Sequence, residues 1–514
     1  MTQPFRGLAA SLTLALLATA ILAAQDNAPS PVPTKSMLAQ APAGEVPPPH
    51  PPELTAPSPA PELTLQECIT RALSKNFDLE IGRFAPQIAK DGIVVAKGGY
   101  EAQVSVTGST GERSTPSSTG KTSDLRVGVS QKLYSGTTVS ASSLLDRNSS
   151  NPAFSALNPA YDADLTLSVR QSLLSGFGQE INRAGIQRAE IGLLRANLDF
   201  KAQVLNVIQE SENAYYNLVY AREQLAVRNF SLALANKLFD EAKTRRDTGV
   251  ATDLDVLQAE VGVANARRGV ILAVQSVKDR QDGLLALIGQ FELDATLGTV
   301  RFAEVTDATP VFASSYQMAK QNQPDYLSSQ AAIDQFKIDL KLTEDAAKPD
   351  LTVGAALGLS GTNGSGHDAL SDALDRQGHS WQVDFAFSYP WGRSSDKARV
   401  RQSLASLSRE QARLRLIEQN IEVQVRSAVR SVETNLESVK IATQASGLSL
   451  RQYELEKAKF DAGLSTSRRV LEAQNDLETN RVNELQAKAT LHSAISALHR
   501  IEGSSLQRYA VQLP

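Results

Sequence analysis

The sequence predicts a mainly α-helical chain that carries a membrane β-barrel and is built twice on one plan. Three observations predict it. The stretch DTGVATDLDVLQAE, Asp247 to Glu260, returns 214 residues later as DAGLSTSRRVLEAQ, Asp461 to Gln474. Two long stretches without proline, Gln179 to Arg246 and Arg393 to Phe460, are rich in Ala, Leu, Gln, Arg and Glu, which all favour helix. Between the helical regions the apolar period changes to two, in segments of about nine to eleven residues, the length a tilted strand needs to cross a bilayer.

At the N-terminus, Arg6 precedes an apolar run from Leu8 to Ala24 that ends in small residues. Residues 1–24 are read as an export signal rather than an anchor, because the run is barely as long as the shortest spanning helix. Residues 25–62 follow as a Pro-rich disordered linker; twelve of the chain's 22 prolines lie between Ala28 and Pro61. Such a segment stays extended and cannot pack a core. The remainder has a globular balance, with 42% hydrophobic and 21% charged residues overall. No later run reaches the roughly 18 apolar residues of a spanning helix, so any membrane crossing must use strands. The lone cysteine, Cys68, excludes an intrachain disulfide and reads as a small apolar group on a helix. A net charge of -4 supplies no basic surface for nucleic acid.

The duplication sets the domain organisation. A displacement of 214 aligns Gly178 with Gly392, Ala184 with Ala398, Gly249 with Gly463, Thr252 with Thr466, Leu257 with Leu471 and Gly289 with Gly503. Upstream, KNFDLE (Lys75 to Glu80) sits against NQPDYL (Asn322 to Leu327) at a displacement near 247, so the first copy holds about 33 extra residues. The first repeat is placed at 63–295, with strands about 102–173, a long helix 179–246 and a helix 252–289. The second is placed at 311–503, with strands about 350–389, a long helix 393–460 and a helix 466–502; residues 504–514 form a tail. Shorter helical regions, Leu65 to Lys97 and Ala313 to Ala346, open the two copies.

Within the long helices apolar residues recur at spacings of three, four and seven: Leu198, Leu205, Ile208, Tyr215, Val219 and Ala226 in one, and Leu407, Leu414, Ile417, Ile421, Val425, Val429, Val432 and Leu436 in the other. At 1.5 Å per residue each is ~100 Å long, wider than any compact domain.

Four strands are expected in the first copy, near 102–110, 124–134, 137–145 and 163–173, and two in the second, near 350–359 and 380–389. Leu165, Leu167 and Val169 alternate with Thr166, Ser168 and Arg170; Val383, Phe385 and Phe387 alternate with Gln382, Asp384 and Ser388. ERSTPSSTGKTS, RNSSNPAFSALNPAYDA and GTNGSGHDALSDALDRQGHS read as long polar loops, and YSGT (Tyr134 to Thr137) as a tight turn. Long loops at one end and short turns at the other suit an outer-membrane barrel. Six strands are too few for a channel, so several protomers must share one barrel.

On LTLQECITRALSKNFDLE near the start, QSLLSGFGQEINRA (Gln171 to Ala184) and SYPWGRSSDKARV (Ser388 to Val400) at the strand-to-helix junctions, and the two Gly-x-x-Thr corners, the chain resembles the TolC-type outer-membrane efflux proteins. The resemblance covers nearly everything from Leu63 to Gly503. It implies a homotrimer whose strands share one barrel in outer-membrane lipid and whose helices form a tunnel through the periplasm. The corners then lie at the tunnel's inner end, where a periplasmic adaptor protein docks and joins the duct to an inner-membrane pump. The family's usual barrel takes four strands per protomer. Here six are counted, so either the trimer barrel has more strands or the added hairpin lies outside it.

No catalytic constellation, cofactor site or metal site emerges. His50 is in the linker, His367 and His379 are in a polar loop, and His492 and His499 are too far apart on one helix to share a metal. GTNGSG, Gly361 to Gly366, opens no helix after a buried strand and is a poor phosphate loop. The competing function class is a coiled-coil structural or adhesive surface protein, which long heptad helices alone would suit. Duplicated strand pairs would then be unexplained.

The corners carry the candidate site: Gly249, Thr252, Asp253, Asp255, Gly463, Thr466, Arg468, Arg469 and Glu472. Gly249 permits a left-handed turn, Thr252 caps the next helix, and Asp253 and Asp255 favour its positive end. The second corner keeps Gly463 and Thr466 but places Arg468 and Arg469 in the first helical turn, the wrong sign for the dipole by about 0.3 to 1 kcal/mol each. The resemblance implies an acidic constriction ring at positions matching Arg469 and Glu472; this chain departs from it at Arg469. The expectation is a latch, in which Asp253 and Asp255 of one repeat face Arg468 and Arg469 of a neighbour and close the inner mouth. The cargo stays open among drugs, metal ions and secreted protein.

Overall fold

The structure is a computed structural model that describes residues 62–151, 156–289, 297–304 and 309–511, all within a single structural unit. The expected signal 1–24 and nearly all of the linker lie outside the described residues, as do 512–514 of the tail.

Each half opens with short helices. In the first half these are α1 (Leu65–Lys75), α2 (Phe77–Gly82) and α3 (Phe84–Gly98). The Thr64 side chain accepts from the Glu67 amide to start α1, and Asn76 accepts from Asp78 and Leu79 to restart the chain as α2. Four strands follow: β1 (Gln103–Thr115), β2 (Ser118–Lys132), β3 (Thr137–Asn151) and β4 (Ala160–Ser172). One turn of helix, α4 (Gln179–Asn182), leads into α5 (Ala184–Asp247), which returns as α6 (Asp253–Leu287). The second half repeats the order with α7 (Phe312–Asn322), α8 (Pro324–Ala346), β5 (Asp350–Asn363), a short helix α9 (Gly366–Leu374), β6 (Gly378–Ser388), α10 (Ser394–Asp461) and α11 (Ser467–Glu502). A last turn, α12 (Ser505–Arg508), follows.

With 64 residues in α5 and 68 in α10, the two long helices are each ~100 Å long. Their apolar stripes are buried where shorter helices cover them. Cys68, Ile69, Leu79, Val204, Leu205, Ile208, Leu218, Leu284 and Ile288 form one core, and Ile421, Val425, Val429, Val432, Leu491 and Leu498 form its counterpart. Burial pushes the Cys68 thiol up to about 12, so it is an inert core group. Leu198, Leu407, Leu414 and Ile417 are only partly covered and Ala226 is exposed.

Polar ties join the halves along α5 and α11. Glu212 accepts hydrogen bonds from Ser496 and Tyr509, Gln474 donates to the Ser231 carbonyl at 2.8 Å, and Arg228 pairs with Glu478.

The six strands form one antiparallel sheet in chain order, with β1 and β6 as its edges among the described residues. They run 11 to 15 residues, longer than expected. The polar segments read as loops are the reason. ERSTPSSTGKTS is mostly strand, closed by the pair Thr115–Ser118 around a two-residue turn, and RNSSN completes β3. Ser and Thr suit strands, but where a sheet leaves hydrocarbon for water both faces become polar and the period of two vanishes. The third segment contains α9, capped by Ser365, whose side chain accepts from the Asp368 amide.

His492 on α11 is stacked on Tyr216 with ring centroids 4.0 Å apart, and burial lowers its pKa to about 4. A free histidine near 6.5 takes up its proton first, so stability is full above about pH 6.5 and falls as the pH drops toward 4. Thermal denaturation of the full chain at pH 7.5 and pH 4.5 should show a loss that His492→Phe reduces by up to about 3 kcal/mol; an equal loss in both would contradict the assignment.

Candidate functional site

Cross-strand register places one apolar band across all six strands. Val104 and Val106 pair with Val129 and Val127; Leu125 pairs with Leu145, and Leu145 with Ala163. Leu165 and Leu167 pair with Leu359 and Leu357, and Leu357, Ala355, Val353 and Leu351 pair with Trp381, Val383, Phe385 and Phe387. Residues opposite one another share a face, so these side chains form a single surface. Most of it is open, Phe385 being 80% exposed. An apolar surface of this extent on a soluble protein would drive aggregation; against acyl chains it is stable.

The opposite face carries Ser105, Thr107, Arg126, Ser140, Ser142, Thr166, Ser168, Thr352 and Gln382 at the alternate positions. It also carries charges: Asp124, Asp146 and Asp162 stand in one row on β2, β3 and β4, with Asp164 on the same face, and Arg170 faces Asp384 at 4.0 Å. This is a wall suited to water.

At one end of the apolar band, α9 packs Ala369 and Ala373 on Ala163, beside Leu145, Tyr161 and Leu165. Gly361 lets it sit there, since a Cβ at that position would collide with the backbone of Ala369 and Ala373.

The two corners lie at the far ends of the long helices. In each, glycine takes a left-handed φ, +77° at Gly249 and +75° at Gly463. The Val250 amide reaches the Arg245 carbonyl and the Leu464 amide the Lys459 carbonyl, both at 2.8 Å, so the two helices end in the same turn. Beyond it the corners differ. Thr252 and Asp255 make a complete capping box, and the Thr252 amide and hydroxyl hold the Asp255 carboxyl below the usual range. Thr466 occupies the matching cap position without a side-chain cap bond. Asp253 is 93% exposed on its side chain, with Arg246 3.9 Å away. Arg468 pairs with Glu472 on its own helix at 3.0 Å. Arg469 is exposed near Glu456, whose carboxyl is held low first by the Ser465 hydroxyl and also by Lys459 and Arg469.

Within one protomer the corners touch. Ser467 donates to Asp255 at 3.4 Å, and Lys457 lies 3.3 Å from Glu241. Leu238, Tyr453, Phe460, Val470, Ala473 and Leu477 make a small core between the hairpins. Two features of the corners escaped sequence reasoning. Arg245 donates to the Phe460 carbonyl at 3.0 Å with its guanidinium 4.0 Å from the Phe460 ring, a contact between residues 215 apart that leaves no local signal. Val250 and Leu464, 75% and 78% exposed, are matching apolar residues displayed on the turns. Their signal was readable: an apolar residue directly after the turn glycine, in both copies.

Comparison with known proteins bears on both surfaces. The sequence profile of the family described as outer membrane efflux protein matches residues 68–290 and 315–504. The chain is 25% identical over 354 residues to the outer membrane efflux protein BepC of Brucella suis biovar 1, covering 68% of this chain and 73% of that one. It is 21% identical over 339 residues to the outer membrane protein TolC of Vibrio cholerae serotype O1, covering 63% and 76%. Among solved structures, the outer-membrane channel OprN superimposes with a TM-score of 0.66 at 17% identity, covering 88% of this chain and 98% of that one.

A side chain at a left-handed position costs about 1 to 2 kcal/mol. Gly463→Val should therefore speed amide exchange at Leu464 roughly tenfold while leaving Val250 unchanged; mass-resolved hydrogen exchange reads both, and equal rates would remove the geometric requirement at Gly463.

Proposed function

The chain belongs to the outer membrane efflux protein family, and from that premise we propose that it is the exit duct of a tripartite efflux or type I secretion system. It is an outer-membrane channel protein and not an enzyme. The observation that carries the finer reading is the apolar band on a sheet with two free edges, set at one end of ~100 Å helices. Free edges in hydrocarbon would strand backbone donors and acceptors, so copies of the chain must join edge to edge. Three copies close the barrel in the outer membrane, and the helices line a tunnel through the periplasm. Residues 1–24 direct export and 25–62 tether the folded part.

Conduction is passive. The polar wall presents water to the cargo, and the driving force comes from an inner-membrane pump joined through a periplasmic adaptor protein. The corner turns form the inner mouth and the docking surface. Gly249, Thr252, Gly463 and Thr466 shape it, and Val250 and Leu464 offer the adaptor an apolar contact on each turn. The pairs each group already makes narrow the latch. Asp255 is committed to its capping box and Arg468 to Glu472; Asp253, held among the described residues only by the 3.9 Å pair with Arg246 and 93% exposed, and Arg469 are the residues best placed to face a neighbouring protomer. Exposed pairs of this kind are worth about 0 to 1 kcal/mol each, weak enough for an adaptor to displace.

Purified full-length protein in planar bilayers should give discrete conductance steps; a trimer that inserts and never conducts would overturn the duct. The double variant Arg468→Ser, Arg469→Ser should raise the resting conductance severalfold, and an unchanged closed state would sink the latch while leaving the duct intact.

A further inference from the structure

We propose that the shared barrel has eighteen strands, six from each of three copies, and that the β2–β3 hairpin is part of its wall. This rests on the trimeric duct proposed above and fixes a dimension that reading leaves open.

The hairpin is built into the sheet along its whole length. β2 pairs with β1 from Gln103–Ser130 to Thr115–Ser118, and β3 pairs with β4 from Thr137–Gln171 to Asn148–Ala160. Placing it outside the wall would mean breaking both ladders and pairing β1 with β4 directly, with the freed groups left in lipid. Its apolar residues also stand in the same rows as their neighbours. Leu125, Val127 and Val129 on β2, and Val139, Ala141 and Leu145 on β3, continue the band from Val104 and Val106 to Ala163, Leu165, Leu167 and Val169. A hairpin standing in water would have no use for that face.

The turn of the hairpin is seated where the strands meet the helices. Tyr134 lies 4.6 Å from Tyr100, just after α3, and 5.8 Å beneath the guanidinium of Arg183, just before α5. Gly136, at φ +88°, approaches so closely that a Cβ would come within 2.5 Å of the Gly176 carbonyl and 2.8 Å of the Asn182 amide. The Tyr100 hydroxyl donates to the Asn182 carbonyl across the same gap. The turn thus fills the space between the helix that feeds β1 and the helix that receives β4.

The girth of the helical part is compatible with this number. At this level α3, α5, α8 and α10 pack side by side in the order of the strands they join, β1, β4, β5 and β6. Twelve helices at about 8 to 10 Å between axes make a ring about 100 to 120 Å around. Strands about 4.8 Å apart, tilted by about 40°, give a girth of about 113 Å for eighteen and about 75 Å for twelve. Eighteen strands continue the helical tunnel at its own width, about 36 Å between backbones, so cargo that passes the inner mouth meets no narrower collar in the membrane.

Electron cryomicroscopy of the full-length protein in lipid nanodiscs decides the matter. The expected image is one closed ring of eighteen strands, with Ser118 to Asn151 of each copy lying between its β1 and β4. A trimer with a twelve-strand ring and the hairpin outside the wall, or with any other strand number, overturns the inference and leaves the exit-duct reading standing. Copies that share no ring overturn both.

Discussion

Hydrocarbon offers no hydrogen bonds, and the rest of this structure is arranged around that constraint. A single protomer cannot satisfy it: the sheet satisfies every internal ladder and leaves β1 and β6 open. The band of Val, Leu, Phe and Trp side chains places those edges where water cannot reach them. On the reading proposed above, assembly follows from backbone chemistry before any side-chain contact between copies is considered. The long helices inherit the same arrangement, because β1, β4, β5 and β6 are each continued by a helix and those helices pack in the order of the strands.

What the sequence made legible and what it hid divide along a physical line. Periodicity reports only residues that face something apolar. The long helices and the membrane part of each strand were readable, since Ile208, Val425, Leu167 and Phe385 stand at the spacing their surroundings demand. The outer ends of β1, β2 and β3 were not, because Ser and Thr there meet water on both faces. Helix α9 was missed for a related reason: its buried stripe is two alanines, Ala369 and Ala373, too small a signal for nine residues. At the corners, glycine and threonine could be read because a left-handed turn and a helix cap constrain residue type locally. The Arg245–Phe460 contact, joining residues far apart in sequence, had no local mark.

The corners also show how one turn can serve two electrostatic settings. In the first, Asp255 serves the helix start directly through the capping box, and local rules account for it. In the second, arginines stand at the positive end of the helix dipole, and the nearby carboxylates Glu472 and Glu456 offset part of that cost. The turn itself is the same in both copies, so the difference lies in surface chemistry and not in backbone shape.

The duplication has a consequence for symmetry. Three protomers related by a threefold axis would present turns closed by the same hydrogen bonds, with Val250 and Leu464 displayed alike. To a partner that reads only those turns, the rim would look like a ring of twice the true order. A sixfold partner could seat on it without distortion, and only side chains that differ between repeats, such as Leu254 and its counterpart Arg468, would reveal the lower symmetry beneath.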